Sequence, residues 1–213
     1  MIEGLLPRLA VSAEERHDPP EAVLLPAEEA IVARAVPERR REFATGRLCA
    51  RRALARLGLP PGAILAGPAG QPLWPDGIVG SITHCAGYRA AAVARSGDVG
   101  ALGIDAEPHA PLPDGVLDTV ASDDERAHLH RLAGREPDVR WDRLLFSAKE
   151  SAYKAWYPTG GRILEFEEAT VALDPDGTLS VRLVDGTTLA GRWLVADGLV
   201  LTVATATATA NYS

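Results

Sequence analysis

Two acidic residues end an apolar segment, Leu102-Gly-Ile-Asp-Ala-Glu-Pro, that is typical of a β-strand. Because alternate residues of a strand point to the same side of a sheet, Asp105 and Glu107 can bind one cation together. Carboxylate oxygens that leave room for water and phosphate suit Mg²⁺ better than zinc. The pair Asp-x-Glu is common, however, and a solvated loop that carries two acids is the alternative interpretation.

The chain contains only two lysines, Lys149 and Lys154, among 22 basic side chains. Both lie in Phe146-Ser-Ala-Lys-Glu-Ser-Ala-Tyr-Lys, and in a helix Glu150 and Lys154 share one face. An amine can release its proton when its pKa is tuned, whereas a guanidinium in practice cannot. The cluster therefore indicates proton transfer, and a surface ion pair with a chance grouping of lysines is the alternative.

A third segment, Gly80-Ser-Ile-Thr-His-Cys-Ala-Gly-Tyr, places small and hydroxyl-bearing residues where a strand meets a turn. Backbone N–H groups, the Thr83 hydroxyl and the His84 imidazole can approach phosphate oxygens closely at such a place. A buried structural histidine is the alternative. We interpret Cys85 and Cys49 as structural, because only His84 lies near Cys85 in sequence as an activating base.

Residues 38–57 form a basic segment of seven arginines and two glutamates, a net charge of +5 in a chain with a total charge of −7. In a helix, Arg47 and Arg51 share a face one turn apart, and Arg39–Arg41 crowd the first turn. Arginine clusters bind phosphate through paired hydrogen bonds, although a solvated basic face explains some of these residues. Nucleic-acid binding is not expected, because the rest of the chain is acidic and no groove-reading motif is present.

Helices and strands are predicted around these groups. Pro37 fits the first turn of a helix, Ser122 and Glu125 form a capping box, and Pro158 with Gly160–Gly161 is expected to stop the last helix. We expect helices at residues 27–36, 37–57, 122–134 and 141–157, and strands at 63–66, 78–83, 89–95, 99–104, 169–173, 179–184, 188–195 and 199–205. The three strands within 78–104 are expected to form a small antiparallel sheet. Residues 1–26 are expected to be irregular, and the final alternation of Ala and Thr to fray.

The order of elements, helix and then strands, occurs twice. It predicts an α+β fold of two similar halves in a pseudo-twofold arrangement, residues 1–104 and 105–213, each with a small, mostly antiparallel sheet. Ligand sites favour such interfaces, so we expect the active site in the cleft between the halves of a monomer.

Composition supports an ordinary globular domain of 213 residues, 24% of them charged. No segment resembles a signal peptide or a membrane-spanning helix, so no membrane partner is expected. Two cysteines form no disulfide or metal framework, and a reducing cytoplasm is therefore the expected compartment.

Taken together and in order, four segments resemble the 4′-phosphopantetheinyl transferases. The resemblance is to the monomeric, two-half subclass that activates polyketide, peptide and siderophore synthases, in its actinobacterial branch. The segments that carry it are Arg39–Arg51, Trp74–Tyr88, Gly103–His109 and Phe146–Trp156. Each motif alone is weak, but four in the expected order and spacing are specific.

The resemblance implies an enzyme that moves the phosphopantetheine arm of coenzyme A to a serine of an apo acyl- or peptidyl-carrier protein. The expected partners are carrier domains of polyketide, non-ribosomal peptide or fatty acid synthases. Mg²⁺, or Mn²⁺ in its place, is expected on Asp105, Glu107 and Glu150. The groups expected to meet coenzyme A are Arg39, Arg47, Arg51, Thr83, His84, Lys149 and Lys154.

In the implied reaction, the serine hydroxyl attacks the β-phosphate and adenosine 3′,5′-bisphosphate leaves. The general base is Glu150 or a metal-bound water next to it, and Lys154 protonates or stabilises the leaving phosphate. The alternatives are a catalytically silent module that binds coenzyme A or carrier protein, and a different Mg²⁺-dependent nucleotide enzyme. The second lacks a phosphate-binding glycine loop of either common type.

Two positions depart from the family pattern. Gln71 lies where relatives often have a basic residue, and Ala66 offers nothing to the 3′-phosphate of coenzyme A. The departures concern how that phosphate is held and leave the expected reaction unchanged.

Overall fold

The computed structural model describes residues 1–162 and 164–208. Its helices are α1 (Pro26–Glu29), α2 (Pro37–Arg56), α3 (Val116–Val120), α4 (Asp123–Arg135) and α5 (Trp141–Gly160), with short 3-10 helices at Ile2–Leu5, Ala30–Val32 and Phe166–Glu168. The strands are β1 (Val11–Glu15), β2 (Ile78–Cys85), β3 (Tyr88–Arg95), β4 (Val99–Pro108), β5 (Ala169–Leu173), β6 (Thr178–Leu183), β7 (Thr188–Ala196) and β8 (Leu199–Thr207). These elements confirm the predicted α+β class.

Strands β1, β3 and β2 form, in that order, an antiparallel sheet that is covered by α2. The helix begins at Pro37, where the fixed φ of proline suits the first turn and its missing N–H costs no hydrogen bond. Its inward face carries Cys49, Ala50, Ala53 and Leu54, all buried against β3. The small size of these side chains lets the helix lie close to the sheet.

The third strand of this sheet is β1 and not the expected strand at residues 99–104, so two predictions were wrong. Residues 1–26 are not wholly irregular, because Val11–Glu15 pairs with β3 although it lacks the alternation of a half-buried strand. The strand predicted at 99–104 does not join this sheet. It forms β4, which pairs instead with β8 and places Asp105 opposite Thr202.

The second sheet has the antiparallel order β4-β8-β7-β6-β5. Strands β5 and β6 alternate buried and exposed residues, and their buried face packs against α4 and α5. Gly103 on β4 lies against α5 so closely that a Cβ there would overlap with the Ser151 carbonyl oxygen and the Ala155 nitrogen. This contact fixes α5 directly over the strand that carries Asp105.

The two sheets meet where β4 lies beside β2. The Ser81 hydroxyl donates to the Ile104 carbonyl at 3.5 Å, and the Ala106 N–H donates to the Thr83 hydroxyl at 3.0 Å. The expected boundary at residues 104 and 105 falls within β4, which belongs by its pairing to the second sheet. The division into two similar halves stays a prediction.

Several predicted boundaries differ from the structure. The helix expected at 27–36 is only α1 followed by a 3-10 turn, and residues 63–66 contribute only an isolated bridge between Ala66 and Pro72. Helix α5 continues past Pro158 to Gly160, because a proline in the last turn removes a single backbone hydrogen bond. The segment expected to fray covers residues 204–213: residues through Thr207 instead belong to β8, and residues 209–213 lie outside the described part. Within that part, no helix is both long and apolar enough to cross a membrane.

Candidate functional site

Asp105 is at the centre of the site, with only 4% of its surface exposed. Its Oδ1 accepts hydrogen bonds from the Lys154 ammonium at 2.7 Å and from the Thr83 hydroxyl at 3.3 Å. Its Oδ2 accepts from the Ser147 hydroxyl at 2.8 Å. The carboxylate therefore joins β2, β4 and α5, and Lys154 balances its charge.

Glu107 and Glu150 are the other two predicted metal ligands. Glu107 accepts a hydrogen bond from Arg143 at 2.9 Å, whereas Glu150 makes no hydrogen bond or ion pair with any residue in the described part of the chain. Burial raises the pKa of both carboxyl groups, and the negative charge of Asp105 raises it further. Asp105 therefore lies within electrostatic range of both Glu107 and Glu150.

These carboxylates have the donor chemistry of a magnesium site but not a preformed geometry. Within residues 1–162 and 164–208, no group of three or more His, Cys, Asp or Glu side chains is arranged to hold a metal ion. Glu150 has both oxygens available, and repulsion among three carboxylates favours a divalent cation between them. The oxygen donors fit Mg²⁺ chemically, and Asp105 would have to share its oxygens with its present partners.

The predicted phosphate-binding groups line an open cavity between α2 and β2. Arg39 contacts the His84 ring at Nε2, and Glu42 lies 3.6 Å from His84 Nδ1. Burial lowers the pKa of His84, and the neighbouring Arg39 guanidinium lowers it further, so the ring is neutral at pH 7. The cavity is lined by Arg39, Glu42, Phe43, Gly46, Arg47, Gly70, Pro72, Ile82, Thr83, His84 and Lys154.

Arg47 is the most buried basic group of this cavity. Its Nε donates to the Ile64 carbonyl at 2.8 Å, and its guanidinium lies 4.1 Å from the centre of the Phe43 ring. Burial lowers the pKa of Arg47 to about 10, so the group remains charged at neutral pH. Stacking and one backbone acceptor hold the guanidinium, and its terminal nitrogens make no hydrogen bond with the described residues.

Two predicted coenzyme A ligands do not join this cluster. Arg51 donates to both oxygens of the fully buried Glu28 at 2.9 Å and to the Val23 carbonyl at 2.7 Å. Lys149 is buried and donates to Glu125 at 2.9 Å. The structure thus places both cations in internal ion pairs, and their predicted roles toward coenzyme A stay predictions.

Sequence analysis missed two residues of the site, Ser147 and Arg143. Together with Glu150 and Lys154 they lie at spacings of four, three and four along α5. Such spacing places all four side chains on one face of a helix, so the pattern was present in the sequence. What the pattern could not give is the partner, because Asp105 and Glu107 come from β4.

An apolar cavity of about 190 Å³ adjoins the basic cavity and shares four of its lining residues. The shared residues are Gly70, Pro72, Ile82 and Lys154. Its wall also includes three aromatic residues, Trp74, Tyr153 and Tyr157. Glu150 also lines this cavity, and Lys154 lies at the junction of the two spaces.

Comparison with known proteins identifies the family. A model of the 4′-phosphopantetheinyl transferase N-terminal domain matches residues 27–94, and a model of the 4′-phosphopantetheinyl transferase superfamily matches residues 101–204. The 4′-phosphopantetheinyl transferase Svp of Streptomyces mobaraensis is 57% identical over 95% of this chain and 87% of its own length. This chain belongs to the 4′-phosphopantetheinyl transferase family.

Other relatives of this transferase agree. The 4′-phosphopantetheinyl transferase PptT of Mycobacterium tuberculosis is 50% identical over 89% of both chains. Npt of Nocardia iowensis is 48% identical over 95% of this chain and 98% of its own length. The predicted family and its actinobacterial type are confirmed, and the chain is an enzyme of the transferase class. Transferases of this family use coenzyme A and typically a divalent metal, and act on apo carrier proteins.

Proposed function

We propose that this transferase moves the 4′-phosphopantetheine arm of coenzyme A to a serine of an apo carrier protein, releasing adenosine 3′,5′-bisphosphate. The proposal rests on the position of Lys154, which donates a hydrogen bond to Asp105 and lines both the basic and the apolar cavity. Coenzyme A has a polyanionic end and a long uncharged arm. Two adjoining cavities of matching character suit such a ligand.

The basic cavity is the proposed site for the phosphates of coenzyme A. Arg39 and Arg47 supply guanidinium groups, which bind phosphate through paired hydrogen bonds, and Thr83 and His84 supply a hydroxyl and an imidazole. The neutral His84 ring can accept a proton as the phosphate binds, because an adjacent anion stabilises the imidazolium. The uncharged arm then extends past Lys154 along the aromatic wall of the apolar cavity.

Proton transfer is assigned to two residues one turn apart on α5. The serine oxygen forms a bond to the β-phosphorus, and the bond from that phosphorus to the oxygen of the departing bisphosphate breaks. Glu150 takes the serine proton, a role supported by its raised pKa and its lack of a hydrogen-bond partner among the described residues. Lys154 donates to the departing phosphate oxygen from the junction of the cavities.

Asp105, Glu107 and Glu150 are the proposed ligands of Mg²⁺. When bound, the cation supplies positive charge that offsets the charge of the pyrophosphate. Lys154 and Arg143, which now pair with Asp105 and Glu107, balance the charge of the two carboxylates and orient them. Oxygen ligands of this kind favour Mg²⁺ or Mn²⁺ over zinc.

The proposed acceptors are carrier proteins of polyketide, non-ribosomal peptide or fatty acid synthases. The Salmonella typhi relative named enterobactin synthase component D is 37% identical over 56% of this chain and 49% of its own length. Its name, a component of a synthase, agrees with such acceptors. The monomeric state and the cytoplasmic compartment stay predictions.

The test is to incubate the protein with coenzyme A, Mg²⁺ and an apo carrier protein, and to weigh the carrier by mass spectrometry. We expect the mass to rise by one phosphopantetheine group, EDTA to abolish the change, and Mg²⁺ or Mn²⁺ to restore it. Binding of coenzyme A without any mass change would instead identify a silent binding module. Full transfer in EDTA would contradict the metal assignment.

A matched pair of variants tests the proposed base. Glu150→Gln is expected to lose transfer while retaining the fold, since Glu150 makes no hydrogen bond or ion pair with the described residues. Glu165→Gln removes an exposed carboxylate that lines the neighbouring cavity, and it should retain wild-type turnover. Wild-type turnover in both variants would exclude Glu150 as the base.

A further inference from the structure

Lys149 is buried on the side of α5 that faces α4 and the segment after α5. Its ammonium donates to a Glu125 carboxylate oxygen at 2.9 Å and to the Phe166 carbonyl at 2.9 Å. The two charged side chains are only 2% and 3% exposed. A phosphate of coenzyme A cannot reach this ammonium without separating it from the buried carboxylate.

Glu125 uses its remaining hydrogen-bonding capacity to join two more segments. One oxygen accepts from the Ser122 N–H at 2.8 Å, which closes the capping box of α4, and the other accepts from the Val171 N–H at 2.8 Å. The ion pair thus connects the start of α4, the middle of α5, the 3-10 helix at Phe166–Glu168 and β5. These four segments depend on one buried pair of charges.

The pair adjoins the proposed general base in sequence and in space. Lys149 precedes Glu150 on α5, and both line a cavity whose wall also includes Leu164 and Phe166. The Phe166 ring lies 6.1 Å from the ring of Phe146, one turn before Lys149. Since Glu150 has no partner of its own among the described residues, its orientation depends on how α5 and this wall are held.

We propose that Lys149 and Glu125 are positioning residues, which hold α5 and the wall formed by Leu164 and Phe166 so that Glu150 faces the reacting phosphate. This inference rests on the proposed function and assigns Lys149 a role other than the predicted contact with coenzyme A. A buried, hydrogen-bonded pair of charges suits such a role, because loss of either partner leaves an uncompensated charge that forces its neighbours to move.

Three variants test the inference: Lys149→Met, Glu125→Gln and the double variant. We expect each single variant to lower kcat by about tenfold or more, because small displacements of a catalytic group are costly. KM for coenzyme A should stay within about twofold of wild type. The double variant should lose less than the product of the two single losses, since it leaves no unpaired charge. Asp124→Asn, an exposed acid in the same turn of α4, is the control and should match wild type.

Thermal denaturation of each variant sets an assay temperature well below its midpoint, so that kcat refers to folded protein. If Lys149→Met does not fold, the kinetics of Glu125→Gln, which keeps the shape of the side chain and one of its two acceptor oxygens, decide between the two roles of Lys149. The inference is overturned if Lys149→Met raises KM for coenzyme A with kcat unchanged, as a phosphate ligand would. It is also overturned if the variants lose stability but retain both kinetic constants.

Failure of the proposed function would be distinguishable from failure of this inference. A wild-type protein that never modifies a carrier would refute the function. The pair would then be tested by hydrogen exchange, in which the Val171 amide and residues 164–168 should exchange faster in both single variants than in Asp124→Asn. Unchanged exchange in this segment would refute the positioning role.

Discussion

Lys154→Arg separates the charge of this side chain from its shape and from its ability to release a proton. In the structure the ammonium donates to Asp105 at 2.7 Å and to the Ile104 carbonyl at 3.3 Å, while the side chain is 28% exposed at the junction of the two cavities. Arginine keeps a cation opposite Asp105, so the ion pair survives. Its longer planar group cannot occupy the same position, because Gly103 holds α5 directly against β4.

The expected magnitude follows from the single hydrogen bond that the variant misplaces. A hydrogen bond to a charged group contributes about 1.5–3 kcal/mol. If Lys154 makes that bond to the departing phosphate only in the transition state, its loss lowers kcat by roughly ten- to a hundredfold. KM for coenzyme A should change by less than about threefold, because the guanidinium still attracts the phosphates in the ground state.

Single-turnover rates with coenzyme A, Mg²⁺ and apo carrier protein measure this effect directly, and denaturation curves verify that the variant is folded. The reverse exchange at an exposed site on β6, Arg182→Lys, controls for exchanging the two basic side chains. We expect wild-type turnover in that control. A Lys154→Arg enzyme with near wild-type kcat would show that only positive charge is needed, and proton donation by the lysine would have to be abandoned.

Three further predictions concern binding and stability. Arg51→Ala should destabilise the fold by about 3–5 kcal/mol, measured by denaturation, because it leaves the buried Glu28 carboxylate without its cation. Arg39→Ala should mainly raise KM for coenzyme A, measured by enzyme kinetics. The pKa of His84 lies below its ordinary value, so stability should fall as pH falls through 6.5 toward that lowered pKa. Coenzyme A binding near pH 6 should then take up a proton, detectable by calorimetry in two buffers and absent in His84→Gln. Gly103→Ala should destabilise the fold by at least about 1–3 kcal/mol, measured by thermal denaturation, whereas Gly97→Ala, whose added methyl group meets open space, should not.

The sequence predicted those parts of the fold that local patterns specify. Helices α2 and α5 and strands β5–β8 were predicted nearly to their ends, because their apolar periodicity, proline and glycine positions agree with their structure. Strand β1 was missed because Val11–Glu15 has no alternation of its own and is defined by pairing with β3. Strand β4 was predicted as a strand but assigned to the wrong sheet. Its partner β8 lies about a hundred residues later, and local sequence does not specify such a pairing.

In the site, likewise, the spacing of residues along one helix was predictive, whereas their partners on other elements were not predicted. Helical spacing placed Glu150 and Lys154 on one face, and the structure brings that face to Asp105. Helical spacing also placed Arg47 and Arg51 on one face, but it could not reveal the buried Glu28 that engages Arg51. Spacing along one element thus predicts which side chains lie together, whereas the group opposite them depends on tertiary contacts.

The two lysines of this arginine-rich chain make the same kind of contacts. Each of the two lysines donates to one carboxylate and one backbone carbonyl that come from other elements: Lys149 to Glu125 and Phe166, and Lys154 to Asp105 and Ile104. A compact ammonium with three rotatable N–H groups can donate to both acceptors at once. Arg51 also donates to one carboxylate and one backbone carbonyl, so contacts of this kind do not by themselves require lysine. Lys154 differs from Lys149 and Arg51 because it also lines both the basic and the apolar cavity, and at such a position an amine that can release its proton has a use that a guanidinium does not.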